Sequence, residues 1–417
     1  MREPIQQQRT DRATLVLASI LAGLATLGPF AIDTYMPSFP AIARAFAVTP
    51  IEVQQTLTAY LLPFAGMMLF HGALTDSFGR RPVILVGLVV FTVASLGCAL
   101  AQSLPQLLLF RALQGISAGT GLVAGRAMIR DIYPGHQAQR VMSMVTMIFG
   151  LAPAVAPVIG GWLEVSFGWR SIFVFLTLFA AAMFGLCYYR LNESLAPVHR
   201  QEFAVRPLMR NYLKLLGSVR FGLLSSAIAF NFAGFFLYIA AAPAVIYDLL
   251  GLGASEFGWL FIPGIAGVVI GAFLSGRLAG RLQPRSTVRF GYMIMWAAAA
   301  FNLAYNAMWP PALPWTVLPV MAYTVGMALA MPSVSLLVLD LFPENRGLAA
   351  SLQAAQHSFF IGLTAGLLSP YASGSGRGLA CVMVALLACG FACWLAYLRI
   401  TREGMTRGGI TREVERQ

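Results

Sequence analysis

Apolar residues fill long stretches of the chain, and short polar links interrupt them. A membrane-spanning helix needs ~17–25 mostly apolar residues. By that rule the pattern predicts twelve spans, over 13–36, 52–71, 82–101, 106–127, 140–163, 170–190, 221–246, 257–279, 289–309, 314–338, 348–371 and 379–399. The polar stretch 191–220 is the clearest internal boundary, and it divides the spans six and six. The expected fold is therefore all-α and integral to the membrane. A six-helix bundle covers 1–195, a linker 196–220, and a second six-helix bundle 221–417 with a short charged tail. Similarity between the halves is weak; its best trace is GALTDSFGRRP at 72–82 against GRLAGRLQPR at 276–285. Six plus six spans with faint internal symmetry fit secondary transporters, whose sites lie near the midplane between the repeats.

Composition supports this. The chain is 58% hydrophobic and 11% charged, with mean hydropathy +0.74, whereas soluble domains carry about 25% charged residues. Net charge is +12, from 28 basic residues against 16 acidic ones. In a soluble chain that balance would suggest nucleic acid. Here the basic residues flank the spans and read as topology signals, so no nucleic-acid partner is expected. Arg44, Arg170 and Arg377 alone fall in links on one side, and Arg111 falls inside a span. The remaining basic residues, from Arg2 to Arg416, gather on the other side. The positive-inside rule places both termini and the linker in the cytoplasm. The five cysteines sit inside apolar spans with no metal-ligand spacing and read as small packing residues. No cleavable signal peptide is expected.

Two charges stand clearly inside spans: Asp33 near the end of the first and Arg111 in the fourth. A charge in hydrocarbon costs at least ~2.5–3.5 kcal/mol and faces a partner or a polar cavity. The pair is expected to share one central cavity and to couple directly or through Gln114, one helical turn after Arg111. In the second link, Gly72 and Gly79 permit a tight turn around Asp76, Arg80 and Arg81. Asp76 there suits backbone N–H groups at the start of another helix, and Arg80 can bridge carboxylates. Pro153, Pro157, Gly160 and Gly161 in span five signal a bend with close approach of a neighbour. Asn231, Phe235 and Tyr238 fall on one face of span seven, and Phe261 opens span eight. With Tyr35, Met147 and His357 they form a candidate pocket for amphipathic compounds. His71 reads as interfacial, at the end of span two.

GALTDSFGRRPVIL (72–85), RALQG (111–115) and APVIGG (156–161) together resemble the major facilitator superfamily, and more narrowly its twelve-span drug:proton antiporters. The exit of span one, DTYMP (33–37), is similar to the Bcr/CflA branch of bacterial drug-resistance transporters, and FGWRSIF (167–173) looks like the entry to span six in this family. The motifs lie in the N-terminal half; length and topology extend the resemblance over the whole chain. It implies two bundles rocking between inward- and outward-open states in the bacterial inner membrane, working as a monomer. Protons are the coupling ion, and no other cofactor is implied. Asp33 would be the coupling acid, Arg111 its tuning partner, and Asp76, Arg80 and Asp131 a cytoplasmic latch. Three departures stand out. Ser77 replaces the usual arginine after the motif aspartate, and Ala156 replaces the commoner glycine before Pro157. Ala25 and Thr26 stand where some relatives carry a second acid.

Export of small amphipathic or apolar drug-like compounds against proton entry is the function expected. Proton-coupled transport of a specific sugar, nucleoside or amino-acid derivative is the alternative, disfavoured by the few polar residues in mid-span. An intramembrane enzyme would need a convergent nucleophile, base or metal set. The sequence presents none, so no enzymatic activity is expected.

Overall fold

The computed structural model describes residues 3–279, 281–343 and 345–414, so Arg2 and Arg416 of the basic clusters lie outside the described residues. The N-terminal half contains α1 (Glu3–Asp33), the short α2 (Phe39–Phe46), α3 (Pro50–Phe78), α4 (Arg80–Leu100), α5 (Leu104–Ile132), α6 (Gly135–Phe167) and α7 (Arg170–Arg190). The linker carries α8 (Val205–Leu216). The C-terminal half contains α9 (Val219–Ala240), α10 (Gly258–Leu278), α11 (Pro284–Met308), α12 (Leu318–Asp340), α13 (Arg346–Leu363), the short α14 (Ser369–Ala372) and α15 (Gly376–Val414). Among the described residues the only β pairing is an isolated bridge between Ala279 and Leu282.

Long helices occupy all the predicted spans. Ten are long and apolar enough to cross a membrane; α11 and α13 are not among those ten. Their polar content is the reason: α11 carries Arg285, Arg289, Asn302 and Asn306, and α13 carries Gln353, Gln356 and His357. Element ends depart from the apolar pattern where local chemistry intervenes. Span one stops at Asp33, and the chain continues through a 3-10 turn, Met36–Ser38, into α2. Pro37 and Pro40, which lack the N–H a helix interior needs, force that break. Span seven stops at Ala240 and resumes as a wide turn, Ala244–Leu249, just after Pro243. At α3, Thr49 and Glu52 form a reciprocal capping box with Pro50 at the first helical position. The same helix ends at Gly79, whose φ of +97° is open to glycine and strained for other residues. Thr49 and Gly79 thus mark the two ends of the molecule, called below the Thr49 side and the Gly79 side.

Helices α1 and α3–α7 pack on one another, as do α9–α13 and α15, giving two bundles. Helix α8 is amphipathic and packs on α9 and α13 of the second: Tyr212 and Leu215 are buried, and the Tyr212 hydroxyl reaches across to the Leu69 carbonyl of the first at 2.9 Å. The bundles meet along two flanks, α3 with α13 and α6 with α10. The antiparallel α3–α13 seam is continuous. It runs from Gly72 beside Ser351, through Leu62 against Gly362 and Thr58 against Gly366, to Gln54 bonded to Ser369. On the other flank, Val158 lies against Gly258, and Gly161 against the Ala254 backbone. Earlier along the same face of α6, at 3.6-residue spacing, comes an open groove of about 450 Å³ lined by Gln139, Arg140, Ser143, Met144 and Met147. Along α6 the contacts with the other bundle at Val158 and Gly161 thus lie towards the Thr49 side, and the groove towards the Gly79 side is lined by α6 residues alone.

Candidate functional site

Asp33 is the last residue of α1 and only 4% exposed. Among the described residues its carboxylate makes no ion pair, and no side-chain hydrogen bond reaches it. Arg111, on α5, is 0% exposed. Its Nη1 donates to the Ala31 carbonyl (2.9 Å) and to Gln114 Oε1 (2.8 Å), and its Nε donates to the Thr56 carbonyl (3.4 Å). The guanidinium lies between the rings of Tyr35 and Tyr60, at 4.3 and 4.5 Å from their centroids. Flat, delocalised and weakly hydrated, guanidinium suits such a slot better than ammonium does. Gln114 passes the contact on, its Nε2 donating to Ser95 Oγ of α4 at 2.7 Å. The expected coupling of Asp33 to Arg111, direct or through Gln114, is thus not made in this structure. Arg111 reaches α1 at the carbonyl two residues before Asp33, and Gln114 points to α4. Nη2 of Arg111 has no partner. Gly115 makes this slot possible: a Cβ there would strike the Tyr60 carbonyl.

On the Gly79 side the expected motif residues converge. Arg80 is buried; its Nε donates to Asp131 (3.2 Å) and its Nη1 to Thr75 (2.9 Å) and to Asp76. Asp76 remains 41% exposed. The reading that Asp76 caps the start of another helix is corrected: its carboxylate turns back onto Arg80, four residues on in the same turn. The carboxylate at a helix start is Glu193, which follows α7. It accepts from the backbone N–H groups of Arg80 (3.0 Å) and Arg81 (3.2 Å), the first residues of α4. Its Oε1 also accepts from the N–H groups of Ser194 and Leu195. A Cβ at Gly79 would collide with it. Arg81 reaches the Tyr188 carbonyl at 2.8 Å. Gly72 lies where α3 meets α13, beside Ser351. Sequence reasoning missed Glu193 because it is remote from Arg80 along the chain and lies in a loop with no local signature.

Pro153 and Pro157 lie inside α6 without ending it. The glycine pair after them faces two ways. A Cβ at Gly160 would strike the Thr34 carbonyl, next to Asp33, and one at Gly161 the Ala254 carbonyl of the other bundle.

The candidate pocket residues are dispersed. Tyr35 is fully buried against Arg111, its hydroxyl 3.0 Å from Thr56 Oγ1. Asn231 donates to the Tyr292 hydroxyl (3.0 Å), and Asn302 donates to the Tyr238 hydroxyl (2.6 Å), so both polar side chains of α9 bond towards α11, while Asn231 Oδ1 has no partner among the described residues. Phe235 packs on Phe232 and Gly264, and Phe261 on Phe257. These side chains fill the interior of the C-terminal bundle, because an apolar face at helical spacing serves core packing equally well. Met147 is 62% exposed in the α6 groove. His357 lies tilted against Phe232, ring centroids 4.4 Å apart, with Nδ1 unpartnered among the described residues. His71 is corrected from interfacial to buried: its Nε2 lies 3.1 Å from the Ile116 carbonyl and 3.0 Å from Thr120.

Two helical bundles joined along two flanks, with a carboxylate that has no ion pair among the described residues buried just before the turn they share at Pro37, define a polytopic membrane protein of the transporter kind. The family model of the Major Facilitator Superfamily matches residues 17–355 and 224–415. A bicyclomycin resistance protein homolog of Haemophilus influenzae is 30% identical over 350 residues, covering 82% of this chain and 86% of its own. Multidrug resistance protein D of Escherichia coli is 29% identical over 401 residues, covering 94% and 97%. The inward-facing, occupied crystal structure of a bacterial homolog of the human lysosomal transporter Spinster is 17% identical with a TM-score of 0.72, covering 94% and 97%. The chain belongs to the major facilitator superfamily, beside its bacterial drug-resistance proteins, and is a multi-pass inner-membrane protein.

Proposed function

We propose that this protein exports small amphipathic or apolar compounds from the cytoplasm in exchange for protons. The reading takes all twelve helical segments as spans, α11 and α13 sheltering their polar residues among neighbours. It takes the Gly79 side, where Arg80, Arg81 and the linker lie, as cytoplasmic. The observation that carries it is Asp33, a carboxylate buried where the helix of span one breaks and left without a fixed partner. An acid so placed alternates between protonated and charged forms more readily than one locked in an ion pair. Substrate arriving from the cytoplasmic opening displaces the proton. After the bundles rock, Asp33 takes a proton from outside and the substrate leaves. Arg111 and Gln114 hold the break of α1 against α4 and α5. Asp76, Arg80 and Asp131 form the cytoplasmic latch, and Pro153, Pro157, Gly160 and Gly161 shape the α6 side of the path. The names of the relatives, bicyclomycin resistance and multidrug resistance, support this substrate class.

The test is efflux from proteoliposomes loaded with a fluorescent cationic dye. Asp33→Asn is expected to abolish pH-driven export while dye binding persists. Export at the wild-type rate would remove Asp33 from the coupling step. The alternative, transport of one polar metabolite, sits poorly with Asn231 and Asn302, whose amides bond within the C-terminal bundle. Counterflow with a labelled sugar or nucleoside decides it.

A further inference from the structure

On the Thr49 side only a few hydrogen bonds cross between the bundles. Gln54 donates to the Ala240 carbonyl (3.1 Å) and to Ser369, and Gln55 to the Gly366 carbonyl (3.1 Å). These lie on or beside the continuous α3–α13 seam. Tyr247, on the wide turn after α9, makes a different contact: its hydroxyl donates to the Pro37 carbonyl at 2.6 Å. Pro37 belongs to the turn Met36–Ser38 that follows Asp33, and the turn is buried. The N-terminal bundle grips the same segment from the other face. Ser38 Oγ donates to Glu164, and Gly160 packs on the Thr34 carbonyl. Gly160 and Glu164 are one turn apart on α6, and their targets Thr34 and Ser38 are also four residues apart. The two segments therefore meet in register.

We propose that Glu164 and Tyr247 are positioning residues that clamp the turn after Asp33 between the bundles, and that release of the Tyr247–Pro37 bond opens the Thr49 side. What Asp33 does at that moment rests on the transport reading; the clamp does not. The two bonds have different fates. Glu164 and Ser38 belong to one bundle and move together, so their bond survives rocking. Tyr247 and Pro37 belong to different bundles, so their bond must break. A buried carbonyl stripped of its donor is unfavourable until water replaces it, and water arrives only when the bundles part. The bond therefore holds the Thr49 side shut, and its loss lets that side open and Asp33 face outward.

The test uses single-cysteine reporters and membrane-impermeant maleimide in the full-length protein. Ala240→Cys reports the closed seam, where Ala240 is 1% exposed. Ser143→Cys reports the α6 groove on the Gly79 side. Tyr247→Phe removes one hydroxyl and keeps the ring that packs on Phe257, so the fold is retained. It is expected to speed labelling at 240 from outside and slow labelling at 143 from inside, each by about two- to ten-fold, the population shift one neutral hydrogen bond sets. Acceleration at both positions, or a change at neither, would overturn the clamp, since simple loosening cannot close one side. For Glu164, Met36→Cys is the reporter. Glu164→Ala should expose it to maleimide, and Glu164→Gln, which still accepts from Ser38, should not. Equal labelling in the two variants would remove Glu164 from the clamp. Labelling needs no cargo, so failure here leaves the export reading standing, and failure of the dye assay leaves the clamp standing.

Discussion

At the scale of single residues, Arg111 is held by more groups than any other charged side chain in the N-terminal bundle's interior. It has two carbonyls, one amide oxygen and two ring faces, yet no carboxylate. Arg111→Ala is expected to cost about 2–4 kcal/mol, because it removes the buried hydrogen bonds to Ala31, Thr56 and Gln114 and empties the slot between the rings. Arg111→Lys should recover only part of this, since an ammonium keeps the charge but loses the planar fork and the stacking. Thermal unfolding in detergent checks it; equal melting of the two variants would mean the slot is not what holds α5 to α1 and α3. The sequence singles out both Asp33 and Arg111, because a charge inside an apolar run stands out. It cannot say that Arg111 would choose Tyr35 and Tyr60. Those rings come from α1 and α3, and only tertiary packing sets them on either side of α5. Asn231 and Tyr238 mislead for the same reason: a polar group on an apolar face reads alike whether it lines a pocket or bonds to Tyr292 and Asn302 inside a bundle.

At the scale of elements, α6 is one helix with two opposed contacts at adjacent positions. Gly160→Ala sets a methyl against the Thr34 backbone and is expected to destabilise the N-terminal bundle by about 1–3 kcal/mol. Gly161→Ala sets one against Ala254 of the other bundle. It should leave each bundle's packing intact while pushing the Thr49 side open, which cysteine labelling there would detect. Gly150, with no atom within 4 Å of a built Cβ, is the control. Gly150→Ala should be neutral or stabilising by up to about 1 kcal/mol. If all three behave alike, close approach is not the reason for the glycine pair. The run of prolines and glycines made close packing legible, but not the partners, since Ala254 lies in the other half of the chain. Helix α4 makes a matching case: its start at Gly79 was legible, its cap was not. Glu193→Ala should cost about 0.5–2 kcal/mol, the worth of an anionic helix cap. A loss insensitive to salt would argue against an electrostatic cap.

At the scale of the molecule, the alternation of apolar runs and basic links predicts two halves and a linker. Only α11 and α13 lack the apolarity of a free-standing span, because their polar residues presuppose neighbours. Asp33 is the one carboxylate buried among the described spans, so the proposed exchange is expected to move one proton per cycle. Exchange of a proton for a monovalent cation is then electroneutral, while export of a neutral compound carries one charge inward. Each charge moved is worth ~2.3 kcal/mol per 100 mV. Membrane potential should therefore drive neutral export but not monovalent-cation export, measured in proteoliposomes at clamped potential and fixed pH gradient. Strong potential dependence for the cation would require a second proton carrier, with His357 the first suspect. The α3–α13 seam has a consequence of its own. Because those helices stay in contact from Gly72 to Gln54, that flank is sealed against the acyl chains at every depth. On the other flank, beyond Val158, α6 bears the open groove that Met147 lines. On the export reading, which sets the Gly79 side in the cytoplasm, a cargo dissolved in the inner leaflet is expected to enter by the α6 flank alone, and a bulky side chain planted at Met147 should bar lipid-borne cargo before it hinders cargo arriving from water.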